Sequence, residues 1–142
     1  MSEHIKTRLL VVGGGPGGYV TALRAAQLGV QVTLVEADRL GGTCLIRGCI
    51  PSKAMIHAAE KFTTVRDAAR KGGTLGISLS APPTLNLAET VQWKDGVVNR
   101  LNEGVAGLLK RAKVQVISGW ASFVDAKSCV VQTSGGQIGI TA

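Results

Sequence analysis

Residues 9–36 read LLVVGGGPGGYVTALRAAQLGVQVTLVE, and the order of residue types in this stretch decides the fold. The apolar run at residues 8–12 ends in glycine and has the length of a buried parallel strand. Gly13, Gly15 and Gly18 then spell G-x-G-x-x-G. From residue 16 to 28 the pattern is helical, with Ala22, Ala25, Ala26 and Leu28 on one small-residue face and Gly29 placed to cap the end. Residues 30–35 form a second strand. A strand, a glycine turn and a helix in that order raise a common pattern to a dinucleotide-binding one. Gly13 permits the tight turn, Gly15 lets backbone approach a pyrophosphate, and Gly18 lets the helix pack closely. The helix start offers free amides to phosphate charge. Glu36 lies 18 residues past Gly18, where a carboxylate accepts hydrogen bonds from a ribose diol and disfavours a cofactor phosphorylated there. NAD and FAD use the same turn, so the turn alone does not choose between them.

The choice comes from GGTCLIRGCIPSK at residues 41–53, which carries Cys44 and Cys49. A bridge between them closes so few residues that its loop-entropy gain falls below the ~3 kcal/mol of a 15-residue loop. It is a poor staple and a suitable reversible switch. Pro51 follows Cys49 and favours the first helical position, and a helix start favours thiolate over thiol. Dithiol chemistry needs a two-electron acceptor close by. A flavin accepts electrons from a thiolate, whereas nicotinamide ordinarily takes a hydride, so FAD is the better occupant of the turn.

The remaining sequence bounds the function classes. At 142 residues and 45% hydrophobic, the chain has the size of one domain with a real core. The net charge is +7, but basic residues are scattered over helical stretches and aromatic residues are only 4%, which argues against nucleic acid. Apolar runs stop far short of the ~20 residues of a membrane span. Glu3, His4 and Lys6 lead into a strand-like segment without a signal-peptide pattern, so a cytoplasmic location or an organelle matrix is expected. Three cysteines and two histidines, with His4 expected in a frayed terminus, make a zinc site unpromising.

A long helix is expected over residues 51–71, with Met55, Ala58, Ala59, Phe62 and Val65 at helical spacing and Gly72 and Gly73 stopping it. Residues 74–87, with Gly76, Pro82 and Pro83, read as an irregular connection. A second long helix spans residues 87–111, where Gly96, Gly104 and Gly107 imply close packing against another element. Residues 114–118 are a third strand, and 120–124, 128–133 and 137–141 an antiparallel meander. Cys129 reads as a core residue, His57 as a surface or packing residue, and Trp93 and Trp120 as packing residues. The fold class is α/β, a Rossmann-like three-layer arrangement of parallel sheet, helices and meander.

With both motifs in hand, the chain resembles the flavoprotein disulfide reductases over essentially its whole length, in their dihydrolipoamide dehydrogenase branch. Ile50 and Ser52 fit that branch better than the glutathione or mercury branches. The resemblance implies that residues 1–142 form the N-terminal part of an FAD-binding domain, with NAD-binding and dimer-interface domains beyond it. It implies Cys49 as the thiol facing the flavin, Cys44 as the interchange thiol and Lys53 beside the flavin's reactive nitrogen. Glu36 would bind the adenosine ribose, Gly42 and Thr43 would approach the pyrophosphate, and the backbone of Ala121 would meet adenine. The implied partners are dihydrolipoamide or a lipoyl domain of a 2-oxo acid dehydrogenase complex, NAD, and a second subunit in a homodimer. That second subunit supplies the base of the full reaction, so this chain alone is expected not to complete it. Ile46 departs from the asparagine common in the family, and Arg47 stands beside it; the cysteine spacing is untouched.

Overall fold

Successive residues of a strand point to opposite faces of a sheet, and an unbroken apolar run therefore needs cover on both faces. The computed structural model describes residues 3–70 and 79–142. In chain order its elements are β1 (Glu3–Lys6), β2 (Leu9–Val12), α1 (Pro16–Gln27), β3 (Val32–Glu36), α2 (Gly42–Ile46), α3 (Cys49–Arg70), α4 (Leu87–Arg111), β4 (Gln115–Ser118), β5 (Trp120–Phe123), β6 (Ser128–Thr133) and β7 (Gly136–Thr141). β2, β3 and β4 make a parallel sheet in that order, and a second sheet runs β1-β7-β6-β5.

The parallel sheet is the middle layer. Val32 and Leu34 of β3 pack with Ala22 of α1 and with Val98, Val105 and Leu109 of α4 on one side. Val35 and Ile117 pack with Cys129, Val131 and Ile140 of the antiparallel sheet on the other. The α/β three-layer expectation therefore holds, and Cys129, 1% exposed, is the core residue it reads as. Thr7 joins the layers where the chain passes from β1 to β2. Its amide donates to the Thr141 carbonyl at 3.0 Å, and its hydroxyl donates to the Gln31 carbonyl at 3.2 Å. In the β5–β6 turn, the Lys127 amide and the Ser128 hydroxyl hold the Asp125 carboxyl below the usual carboxylate range. Those bonds favour the fold above that range and are lost as pH falls through it.

Several expectations need correction. His4 is not frayed: β1 pairs in parallel with β7, and its Nε2 lies 3.1 Å from Thr141 Oγ1. The helix after the cysteines opens at Cys49, where the Ser52 amide bonds the Gly48 carbonyl, so Pro51 sits inside the first turn rather than at its first position. Gly72, Gly73 and Gly76 lie outside the described residues. Trp93 and Trp120 are not packed away, being 46% and 68% exposed. The Trp93 ring faces that of exposed His57 across α3 and α4 at 6.4 Å.

The helical glycines at 96 and 104 also do not mark close packing, because a Cβ on either would meet nothing within 4 Å. Their cost to α4 is backbone entropy with no steric return. Gly104→Ala is expected to raise the unfolding free energy by about 0.5–1 kcal/mol. Gly18→Ala, whose Cβ would sit 1.7 Å from the Gly13 carbonyl oxygen, is expected to lower it by roughly 3 kcal/mol or more. Urea denaturation of the two variants beside the parent checks both signs.

Candidate functional site

The glycine turn and the cysteine run meet backbone to backbone. The Gly41 amide donates to the Gly14 carbonyl at 2.8 Å. A Cβ on Gly42, whose φ is +62, would lie 2.7 Å from the Gly15 Cα. Gly13 turns the chain at φ +97, and its amide still bonds the Val35 carbonyl of β3 at 2.8 Å. Gly15 differs from these. It has an ordinary φ of −70, and a Cβ there would meet nothing nearer than Gly42 Cα at 3.8 Å. Among the described residues nothing needs glycine at 15. The space that a side chain would fill faces the start of α1.

That helix start is bare. Gly15 supplies no side-chain cap, and the first turn carries no acidic residue. α4 shows the contrast, for Asn86 Oδ1 accepts from the amides of Ala88 and Glu89 at 3.1 and 3.3 Å. An uncapped helix end beside a glycine turn is a ready place for an anion. Glu36 reaches the same turn: Oε2 accepts from the Gly14 amide at 2.5 Å and Oε1 from the Asp38 amide at 2.8 Å. At the carboxyl ends of β2 and β3 lies a cavity of about 200 Å³ lined by Val12, Gly13, Val35, Gly119, Trp120 and Ala121. Bare amides, an open cradle at Gly15, a carboxylate and an apolar cavity together fit a dinucleotide laid across the strand ends.

Cys44 and Cys49 are joined in a disulfide with Cα atoms 4.8 Å apart, from the middle of α2 to the first residue of α3. The turn between them is tight, since a Cβ on Gly48 would lie 3.1 Å from the Thr43 carbonyl oxygen. The two cysteines differ in access: Cys44 is half-buried and Cys49 exposed. A second cavity, of about 250 Å³, is walled by Tyr19, Cys44, Leu45, Ile50, Leu101 and Val105. Of the pair, Cys44 alone borders it. Lys53 stands four residues after Cys49, on the same face of α3. It is exposed and makes no ion pair among the described residues. Thr43 is exposed at the start of α2, and its carbonyl accepts from the Arg47 amide at 2.9 Å. Gly13 and Ala121, brought in from β5, thus share one cavity and Cys44 borders the other, while Thr43, Cys49 and Lys53 line neither.

Sequence reasoning missed what braces the 37–41 connection between the motifs. Asn102 Nδ2 donates to the Leu40 carbonyl at 2.6 Å, and Arg39 donates to Asn99 Oδ1 at 2.8 Å. Arg47 pairs with Asp38. A Cβ on Gly14 would lie 2.8 Å from Leu40 Cδ2 and 3.1 Å from Glu36 Oε2, so a side chain there would have to displace these two side chains rather than backbone. Two asparagines three apart on one helix face were the available signal, but only the fold shows what they hold.

Comparison with known proteins agrees with this geometry. A family model described as pyridine nucleotide-disulphide oxidoreductase matches residues 7–138. The chain is 55% identical over 136 residues to a dihydrolipoyl dehydrogenase of Pseudomonas aeruginosa, covering 96% of the chain and 29% of that relative. It is 53% identical over 119 residues to dihydrolipoyl dehydrogenase 2 of Haloarcula marismortui, covering 84% and 24%. The solved Cu(II) complex of the HOCl-induced flavoprotein disulfide reductase RclA from Escherichia coli superposes with a TM-score of 0.78 at 26% identity, over 97% of this chain and 27% of that one. The chain therefore spans less than a third of the length of the curated relatives it matches.

Thiol titration reads the cysteine arrangement directly. The oxidised native chain is expected to show no fast-reacting thiol and to gain two on mild reduction, with Cys129, 1% exposed, reacting only after unfolding. A fast third thiol in the native reduced chain contradicts this.

Proposed function

Because the chain belongs to the pyridine nucleotide-disulphide oxidoreductase family, we propose that it is the FAD- and disulfide-bearing part of a dihydrolipoamide dehydrogenase. In this reading residues 1–142 carry part of the FAD-binding domain of a longer enzyme, whose NAD-binding and interface domains complete the reaction and form the homodimer. The coverage of under a third of its relatives supports that division. So does the outer edge of β2, which has β3 as its one partner strand among the described residues. No helix among the described residues is long and apolar enough to cross a membrane, and the proposed location is the cytoplasm or an organelle matrix.

The observation that carries the reading is that Cys44 of the disulfide borders an apolar cavity whose wall also holds Pro16 and Gly41, so the dithiol and the glycine turn adjoin one space. In this reading Gly13, Gly15, Gly18, Glu36, Gly42, Thr43 and Ala121 would hold FAD. The cavity bordered by Cys44 is suited to the uncharged chain of a lipoyl group rather than to a charged peptide disulfide. A thiolate of dihydrolipoamide attacks Cys44 Sγ there, a mixed disulfide forms, and Cys49 leaves as thiolate. The second substrate thiolate attacks its own sulfur in that mixed disulfide, closing lipoamide and releasing Cys44. Cys49, at the first residue of α3, is where a negative charge is favoured by the helix end. Lys53, one turn on, adds a positive charge on the same face, which favours a reduced, anionic neighbour. FAD, when bound, supplies the acceptor for the electron pair, which NAD takes in the complete enzyme.

The rival reading is a flavin-binding module without turnover, favoured by the same short coverage. Dihydrolipoamide tests the two apart. With FAD added, the chain is expected to show a flavin spectrum whose reduction by dihydrolipoamide is lost in Cys44→Ser, while NAD stays unreduced. Glu36→Gln is expected to weaken FAD binding about ten- to a hundredfold, from the worth of hydrogen bonds to a charged group. Absence of bound flavin, or flavin reduction by dihydrolipoamide that survives in Cys44→Ser, overturns the proposal.

A further inference from the structure

Trp120 and Phe123 are the large aromatic side chains that β5 leaves most exposed, and of the two Trp120 borders a cavity. Trp120 is 68% exposed, yet it lines the cavity of about 200 Å³ beside Val12, Gly13, Val35 and Ala121. Its place there is built by the backbone. A Cβ on Gly119 would lie 2.4 Å from the Gln132 carbonyl oxygen, so the lack of a side chain lets β4 pass into β5 through a single residue. The Gly119 amide donates to the Glu36 carbonyl at 2.9 Å. The start of β5 is thereby tied to the residue whose carboxylate lies on the glycine turn. No residue lining the cavity is charged, so it suits neither phosphate nor metal. An apolar cavity with an indole at its wall, next to a ribose-type carboxylate, suits a flat heteroaromatic base.

We propose that Trp120 is a binding residue for the dinucleotide, its indole stacking on the adenine. This rests on the dinucleotide reading above, which gives this end of the site only the backbone of Ala121, and adds the side chain that holds the base. Stacking is sequence-tolerant and needs only a π-face, so an aromatic residue at 120 preserves the role and an aliphatic one removes it.

ADP, which carries the adenine without a flavin, is the probe. Trp93→Phe leaves Trp120 as the sole indole, and titration with ADP is expected to quench its emission. Trp120→Ala is expected to weaken both ADP and FAD on the order of 5- to 100-fold, and Trp120→Phe to restore most of the loss. A chain that binds neither FAD nor ADP overturns the dinucleotide reading itself. A chain that binds both, with Trp120→Ala unchanged, overturns this assignment alone. Weakened binding without any change of emission in Trp93→Phe places Trp120 in the scaffold and also overturns it. Should Trp120→Ala fail to fold, the emission result in Trp93→Phe decides.

Discussion

The contact between the Gly14–Gly15 backbone and the Gly41–Gly42 backbone sets everything else in place. It is a contact between chains without side chains, held by the Gly41 amide on the Gly14 carbonyl at 2.8 Å. Through it the turn that ends β2 and the helix that carries Cys44 become one rigid unit, although nearly thirty residues separate them in sequence. The bracing groups are secondary in energy. The Arg47–Asp38 pair is 60% and 50% exposed, and pairs so exposed contribute about 0–1 kcal/mol. The Asn102 bond to the Leu40 carbonyl is partly buried and contributes about 1 kcal/mol. Steric exclusion at Gly18 and Gly42, where the opposing atoms are backbone, is harder to relieve than either.

The disulfide makes sense only within that unit. As a cross-link it closes too short a loop to stabilise the fold much, and the cores on both faces of the parallel sheet are complete without it. Its value lies in the different surroundings of its two ends, with Cys44 at an apolar cavity and Cys49 at a helix start on the exposed side. A bridge that stabilised the fold strongly would resist being opened, so weak stabilisation and ready exchange go together. The chain also leaves the start of α1 without a side-chain cap at the glycine turn. α4, away from the crevice, has a complete asparagine cap, while α1 opens with bare amides beside Gly15.

Much of this is legible in the residues, and what is not has physical reasons. The parallel strands and α1 announce themselves because burial on both faces demands an apolar run and because glycines stand where the chain must turn. The meander follows from turn residues at short spacing. β1 is harder to read: its partner β7 lies at the other end of the chain, and the sequence EHIK lacks a clean alternation. α2, five residues long, is too short to show a helical period. Gly96 and Gly104 mislead because a glycine in a helix looks the same whether it touches something or nothing. Trp120 misleads because a large aromatic is read as core by default. Of the site, the cysteines, Glu36 and the glycines are visible through spacing. Asn99, Asn102 and the Asp38–Arg47 pair act across distances that no local pattern encodes.

The coupling between crevice and disulfide is measured most directly in Gly42→Ala, whose added Cβ pushes on the Gly15 Cα from 2.7 Å. FAD affinity and the rate at which a dithiol reduces the Cys44–Cys49 bridge are followed in the same preparation. If the glycine contact holds both, the two change together in the variant. A clear fall in FAD affinity with the bridge reacting at its parental rate, or the reverse, contradicts the account.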